Sequence, residues 1–197
     1  MRIAILGTGR VGSALGTGWA ARGHTVVFGS RRPAQVSCSV GNAETFAGAA
    51  GRSQVVVLAV PYEVVGDVVA AAGDLSGRVV ADATNPMGQP VAGGGSGAER
   101  VASLAPGAHV VKAFNTMGFE TMASPVIEGR AALALMAGDD VGAKEVVASL
   151  ARDLGFDAVD AGGLTAARHL ESLAELWVHL AMRAGLGRDM AFALLRR

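Results

Sequence analysis

Short apolar runs recur along the chain, each stopping at a glycine, a proline or a small polar residue. They are Ile3–Leu6, Thr25–Phe28, Val55–Val60, Arg78–Ala81, His109–Phe114, Ala131–Ala137 and Asp157–Asp160. Most are continuous rather than alternating, the pattern of strands covered on both faces. Between them, Val11–Ala21, Ala43–Ala50, Glu63–Ala72, Gly97–Leu104 and Val141–Leu154 read as helices. Strand and helix in alternation predict an α/β fold with a doubly wound, mainly parallel sheet. From Thr165 to about Ala184 the pattern is helical throughout. Leu170, Leu173, Ala174, Trp177, Leu180, Ala181 and Ala184 share one face, and Leu176 and Val178 add apolar surface elsewhere. Such a helix must be covered by the rest of the chain, a second subunit or a bound planar ligand. Gly185 and Gly187 interrupt it, and Asp189 is placed to cap a final turn through Leu195. Two parts follow: residues 1–162 as the sheet domain and 163–197 as a small C-terminal helical segment closing a cleft.

Composition narrows the partners. A chain of 197 residues makes one domain, or one with a small appendage. Net charge is zero and no basic run exceeds two residues, which disfavours nucleic acid and anionic membrane surfaces. No apolar run approaches the ~20 residues of a membrane span. Cys38 is the single cysteine, so no internal disulfide forms and a reducing cytoplasm suits the chain. With a strand starting at Arg2, no room is left for a signal peptide. His24, His109, His169 and His179 are scattered, and no cluster has metal-ligand spacing, so no metal is expected. Gly93-Gly94-Gly95-Ser96-Gly97 reads as a mobile loop at the mouth of the sheet or a simple connector.

The chemistry begins at Gly7-Thr8-Gly9-Arg10-Val11-Gly12, set between the first strand and the first helix. Gly7 permits the tight turn, Gly9 lets a pyrophosphate approach the backbone, and Gly12 lets helix and strand pack closely. The phosphates then meet the free N–H groups and positive end of the helix. After the second strand stand Ser30, Arg31 and Arg32, where a chain preferring NAD would place a carboxylate for the ribose diol. A hydroxyl and two guanidiniums there predict a 2′-phosphate, hence NADP(H). Ala59, Val60 and Pro61 follow the third strand and face the switch region. The next two strands end in Asp82-Ala83-Thr84-Asn85-Pro86 and Lys112-Ala113-Phe114-Asn115-Thr116-Met117, at the edge where ligands bind in open α/β sheets. Asp82 reads as a capping residue at its strand end more than as a catalytic acid.

These segments, with Gly138-Asp139-Asp140 and Asp160-Ala161-Gly162 followed by Ala167-Arg168-His169-Leu170-Glu171, resemble the F420-dependent NADP oxidoreductase family. The chain is also similar to the oxidoreductase domain of the STEAP metalloreductases. The resemblance runs over nearly the whole chain. It implies a Rossmann domain binding NADP(H), with Ser30 and Arg31 on the 2′-phosphate and Asn115–Phe119 beside the nicotinamide. It also implies a homodimer and a small-molecule redox partner, coenzyme F420 or a flavin, lying against the nicotinamide. Archaeal members tend to carry a histidine where Asn115 stands and a smaller residue where Phe119 stands, so F420, a flavin and another small molecule all remain open as acceptors. Direct hydride transfer needs two rings held close with water excluded, and no covalent nucleophile. Asn115 and Thr116 are candidate helpers, and no residue stands out as a general acid or base. An imine or carbonyl reductase on the same fold, or a non-catalytic NADP(H) sensor, are the other readings. The absence of lysine after Gly163 argues against a lysine-dependent reductase.

Overall fold

The computed structural model describes all residues from 1 to 197. Ten strands and seven α-helices follow in the order β1 (Arg2–Leu6), α1 (Arg10–Ala20), β2 (Thr25–Gly29), β3 (Asn42–Glu44), α2 (Phe46–Gly51), β4 (Val55–Leu58), α3 (Val65–Ala72), β5 (Val79–Asp82), α4 (Gly97–Leu104), β6 (His109–Lys112), α5 (Phe119–Ala123), β7 (Val126–Ile127), β8 (Arg130–Ala131), β9 (Leu133–Gly138), α6 (Val141–Leu154), β10 (Asp157–Asp160) and α7 (Ala167–Val178). Eight strands form one sheet in the order β10-β9-β6-β5-β4-β1-β2-β3, and β7 and β8 form a separate hairpin. The six strands from β3 to β6 across the sheet are all parallel. The chain leaves β1 for β2 on one side and later returns to β4 on the other. That reversal opens a crevice at the carboxyl edge between β1 and β4.

The continuous apolar runs have the expected cause. Along β1, Ile3 and Ile5 enter one core layer while Ala4 and Leu6 enter the other. Along β4, Val55 and Val57 split from Val56 and Leu58 in the same way. The first layer is closed by Leu15 and Trp19 of α1 and Val147, Leu150 and Leu154 of α6. The second is closed by α2, α3, α4 and α7, through Phe46, Val68, Val101 and Leu170. Trp19 is fully buried, and its Nε1 donates to the Leu150 carbonyl at 2.9 Å, so its one polar atom is satisfied.

Several expectations are corrected. Ala43 belongs to strand β3 rather than a helix, because Thr45 caps α2 by accepting the Gly48 N–H and the preceding residues pair with the edge of β2. The run at Ala131–Ala137 is divided at Ala132, with Ala131 closing the β7–β8 hairpin and Leu133 opening β9, and β9 lies antiparallel to β6. Five-residue α5 is too short to show a helical period. The C-terminal helix leaves α geometry at Val178 and ends in a π turn, His179–Arg183. Its buried face holds Leu170, Glu171, Ala174, Trp177 and Ala181, while Ala184 is exposed. No helical turn forms over Asp189–Leu195. That segment instead crosses the body as a strap: the Met190 carbonyl accepts from Trp177 Nε1, and the Phe192 carbonyl accepts the Leu133 N–H. Ser96 and Glu99 form a reciprocal capping box at the start of α4, which ends the Gly93–Gly95 stretch.

Candidate functional site

The turn between β1 and α1 sets the centre of the crevice. Gly7 has φ 125° and its N–H donates to the Gly29 carbonyl, while a Cβ on it would stand 2.2 Å from the Ala59 oxygen. Gly12 is pressed as tightly, its Cβ meeting the Gly7 oxygen at 2.4 Å. Gly9 differs, having φ −77° and nothing within 4 Å of the Cβ position. So Gly7 and Gly12 are demanded by packing, whereas the space over Gly9 is open. No side chain caps α1 and its first turn carries no acidic residue. The helix thus presents unpartnered N–H groups and its positive end to that open space, a seat for an anion.

Beside the turn lies a cavity of about 530 Å³ lined by Gly7, Thr8, Gly29, Ser30, Arg31, Thr45, Phe46, Val60, Pro61, Val64, Asp67, Val68 and Ala71. It adjoins a smaller one of about 360 Å³ lined by Ser30, Arg31 and Arg32 alone. Ser30 Oγ accepts the Arg32 N–H at 3.1 Å, which leaves the hydroxyl proton free to donate outward. Both guanidiniums are exposed. The nearby carboxylate, Glu44 opposite Gly29 in the β2–β3 register, turns to Arg52 and Arg2. Its hydrogen bond from Arg52 holds its carboxyl below the usual range. The expected hydroxyl and arginines therefore do come together on one cavity, with no carboxylate among them. The far wall was not foreseen: Thr45 and Phe46 come from the start of α2, and Val64 just before α3 is joined by Asp67, Val68 and Ala71 within it. The last four stand at helical spacing on one face, a signal present in the sequence.

The carboxyl ends of β5 and β6 are locked by a buried ionic cluster. Lys112 Nζ sits 2.9 Å from Asp82 Oδ2, 2.9 Å from Glu171 Oε1 and 2.6 Å from the Thr84 carbonyl, using all three donors. Lys112 and Asp82 are wholly buried. Glu171 also accepts the N–H groups of Gly97 and Ala98 at the start of α4, and Asp82 Oδ1 those of Thr84 N and Oγ1. Asp82 thus anchors an ionic cluster as well as its own turn. The loops beyond carry Asn85 and Asn115. Asn85 Nδ2 donates to the Asn115 carbonyl at 2.9 Å, and Asn115 Nδ2 donates to Asn85 Oδ1 and the Leu170 carbonyl. Those two acceptors fix the amide orientation. Asn115 Oδ1 is then left buried without a donor. An ordered water or a bound ligand group would satisfy such an atom.

Phe114, the residue before Asn115, has φ 59°, a left-handed conformation that a bulky residue rarely adopts. The turn sends its ring into the core against Trp19 and Phe156, at 5.6 and 6.3 Å, while Asn115 stays at the edge. Ala113 and Met117 are buried in the same layer and line neither cavity. Pro86 and Thr116 are buried beside the asparagines in sequence. Val11 and Ala59 are half-buried against the core.

Phe119 is flanked by Arg10, 5.3 Å from its centroid, and by Arg188, at 5.2 Å. Arg188 also lies 5.3 Å from the Trp177 ring and grips Glu120 through two hydrogen bonds, which lower the Glu120 carboxyl and raise the guanidinium. Arg188 and Trp177 were not expected at this end. A third cavity of about 390 Å³ opens between Met87 and Gly88 on one side and Glu175, Val178, His179 and Arg183 on the other. No group of three or more His, Cys, Asp or Glu side chains is disposed to hold a metal, and no helix is long and apolar enough to cross a membrane.

Comparison with known proteins agrees with this architecture. The family described as NADP oxidoreductase, coenzyme F420-dependent, matches over residues 2–86. The chain is 31% identical to the F420-dependent NADP reductase of Methanothermobacter thermautotrophicus over 210 residues, covering 93% of this chain and 90% of that one. It is also 31% identical to the metalloreductase STEAP3 of Rattus norvegicus, but spans only 36% of that protein's length. A crystal structure assigned as an F420-dependent NADP reductase from Arthrobacter sp. FB24 superposes with a TM-score of 0.89 at 30% identity, each chain covered in full. The chain belongs to the coenzyme F420-dependent NADP oxidoreductase family and is an NADP-dependent oxidoreductase.

Proposed function

We propose that the protein moves a hydride between the nicotinamide of NADP(H) and a planar acceptor of the deazaflavin or flavin kind, coenzyme F420 first. The observation that carries the cofactor reading is the small cavity lined by Ser30, Arg31 and Arg32 and nothing else. A phosphate monoester suits it, since a hydroxyl and two forked cations supply charge-assisted donors. The open space over Gly9 and the unpartnered Asn115 Oδ1 support the same fit at the other end.

When bound, the reduced nicotinamide supplies the hydride. The chain's own contribution is position. The α1 N-terminus holds the pyrophosphate, and Ser30, Arg31 and Arg32 hold the 2′-phosphate. Val60 and Pro61 wall the adenosine. Asn115 Oδ1 accepts from the carboxamide, while Asn85 keeps the Asn115 side chain from turning. Phe119 with its flanking arginines excludes water on one side. The acceptor enters by the groove between Met87 and α7, so residues 1–162 act as the cofactor domain and 163–197 close the cleft. The working unit is a cytoplasmic homodimer, a reading consistent with the exposed Leu176, Met182 and Leu186.

Mixing the protein with NADPH and F420, FMN, FAD or a cyclic imine, and following NADPH absorbance, tests the acceptor. Turnover with F420 or a flavin supports the proposal. Turnover with the imine alone, or binding without turnover on any of them, overturns it. For the cofactor, Arg31→Ala is expected to weaken NADPH binding by roughly 1–3 kcal/mol, the scale of a lost charge-assisted contact, and to leave NADH binding unchanged. Equal losses for both would remove Arg31 from the 2′-phosphate. Gly9→Ala separates seat from scaffold. Its new methyl meets no protein atom within 4 Å, so stability should change by less than about 1 kcal/mol. NADPH affinity should fall about tenfold or more, read by calorimetry, whereas Gly7→Ala should unfold the turn itself.

A further inference from the structure

The adenosine cavity has a chemical asymmetry that its walls do not need for packing. Phe46, Val64, Val68 and Ala71 are apolar, Arg31 stands at the end shared with the smaller cavity, and Asp67 is the only carboxylate on the lining. Asp67 sits in the first turn of α3, is exposed, and makes no hydrogen bond or ion pair with the rest of the chain. Thr45, the other polar side chain on that wall, already uses its oxygen to cap α2. Val64, just before α3, lies nearest the Val60–Pro61 turn and Ala71 lies about two turns further along the helix, with Asp67 between them.

A carboxylate accepts hydrogen bonds and cannot donate them. Placed at the edge of a purine lying between apolar walls, it favours an exocyclic amine and opposes a carbonyl at the same ring position. Resting on the NADP(H) reading above, we propose that Asp67 is a specificity residue that accepts from the exocyclic amine of adenine, so that the protein selects the adenine dinucleotide against its deaminated, hypoxanthine form. In hypoxanthine the amine is replaced by a carbonyl, which would face the carboxylate with two acceptors opposed. A site hydrogen-bonding one polar group rejects an analogue lacking it far more strongly than an apolar slot would.

The test compares binding of NADPH and nicotinamide hypoxanthine dinucleotide phosphate, by calorimetry or quenching of tryptophan fluorescence, in the wild-type chain, Asp67→Asn and Asp67→Ala. The wild type should bind NADPH at least tenfold more tightly than the hypoxanthine form. Asp67→Asn, which can turn its amide to donate, should bring the two within about threefold, and Asp67→Ala, which removes both the acceptor for the amine and the clash with the carbonyl, should lose NADPH affinity and narrow the preference as well. Asp67 is exposed, so each variant should fold, which circular dichroism checks. Tight but equal binding of both dinucleotides by the wild type, or an unchanged preference in Asp67→Asn, overturns this inference and leaves the NADP(H) reading intact. No binding of either dinucleotide by the wild type overturns both.

Discussion

Replacing Lys112 by methionine is expected to cost about 3–5 kcal/mol of stability, the scale of breaking a buried ion cluster by removing one partner. The ammonium is the sole cation among Asp82, Glu171 and the Thr84 carbonyl, and it is fully out of water. Methionine would leave two carboxylates in a dry interior, one held only by the Thr84 hydroxyl and N–H, the other only by the amides of Gly97 and Ala98. For a chain of this size each kcal/mol moves the melting temperature by about 2–4 °C, so a fall of roughly 6–20 °C should follow in a thermal scan. Arg152→Ala is the control. Its partner Glu145 and Arg152 itself are at least half exposed, and such surface pairs contribute about 0–1 kcal/mol. If Lys112→Met melts with Arg152→Ala, the cluster is not what joins β5, β6, α4 and α7.

The other large effect should come from Phe114→Ala. The ring is 1% exposed and touches both Trp19 and Phe156 edge-on. Truncating such a buried ring typically costs about 3–5 kcal/mol, because a cavity is left as well as lost transfer free energy. The left-handed φ of 59° gives no relief, since alanine bears a Cβ too. Phe114→Gly separates the two contributions, because glycine accepts that φ freely. Urea titration should place Phe114→Ala well below wild type, and Phe114→Gly no lower than the alanine variant. The near-ultraviolet signal of Trp19 should flatten in both. An alanine variant within 1 kcal/mol of wild type, set against the about 3–5 kcal/mol expected, would show that the aromatic contact does not hold the turn.

Much of this molecule was legible because its strands are covered on both faces, which forces unbroken apolar runs such as Val55–Leu58. The glycine turn and the Ser30-Arg31-Arg32 corner were legible because their chemistry is local. Direction was not. Leu133–Gly138 is apolar whichever way it lies, and only the β7–β8 hairpin turns it against β6. The expected turn at Asp189–Leu195 failed because the carbonyls of Met190 and Phe192 find donors on Trp177 and Leu133, contacts that no local pattern announces. Glu171 carried no structural role in the sequence for the same reason: its partner Lys112 lies on a distant strand. Thr45, Val64 and Asp67 were passed over because they lie at or in the first turns of helices whose other faces build the core, and a cavity wall and a core wall share one spacing.

The reversed strand has an evolutionary corollary. In register, Ala137 stands opposite Lys112 and Gly138 opposite Val111, so β9 starts beyond the carboxyl end of β6. Its leading hairpin and the C-terminal strap that meets Leu133 are therefore delivered to the same rim that bears Asn115. Lengthening or recolouring those peripheral pieces leaves every parallel strand pair untouched. Lineages can thus diversify what approaches the rim while the coenzyme half stays constant, a modularity written into the direction of one strand.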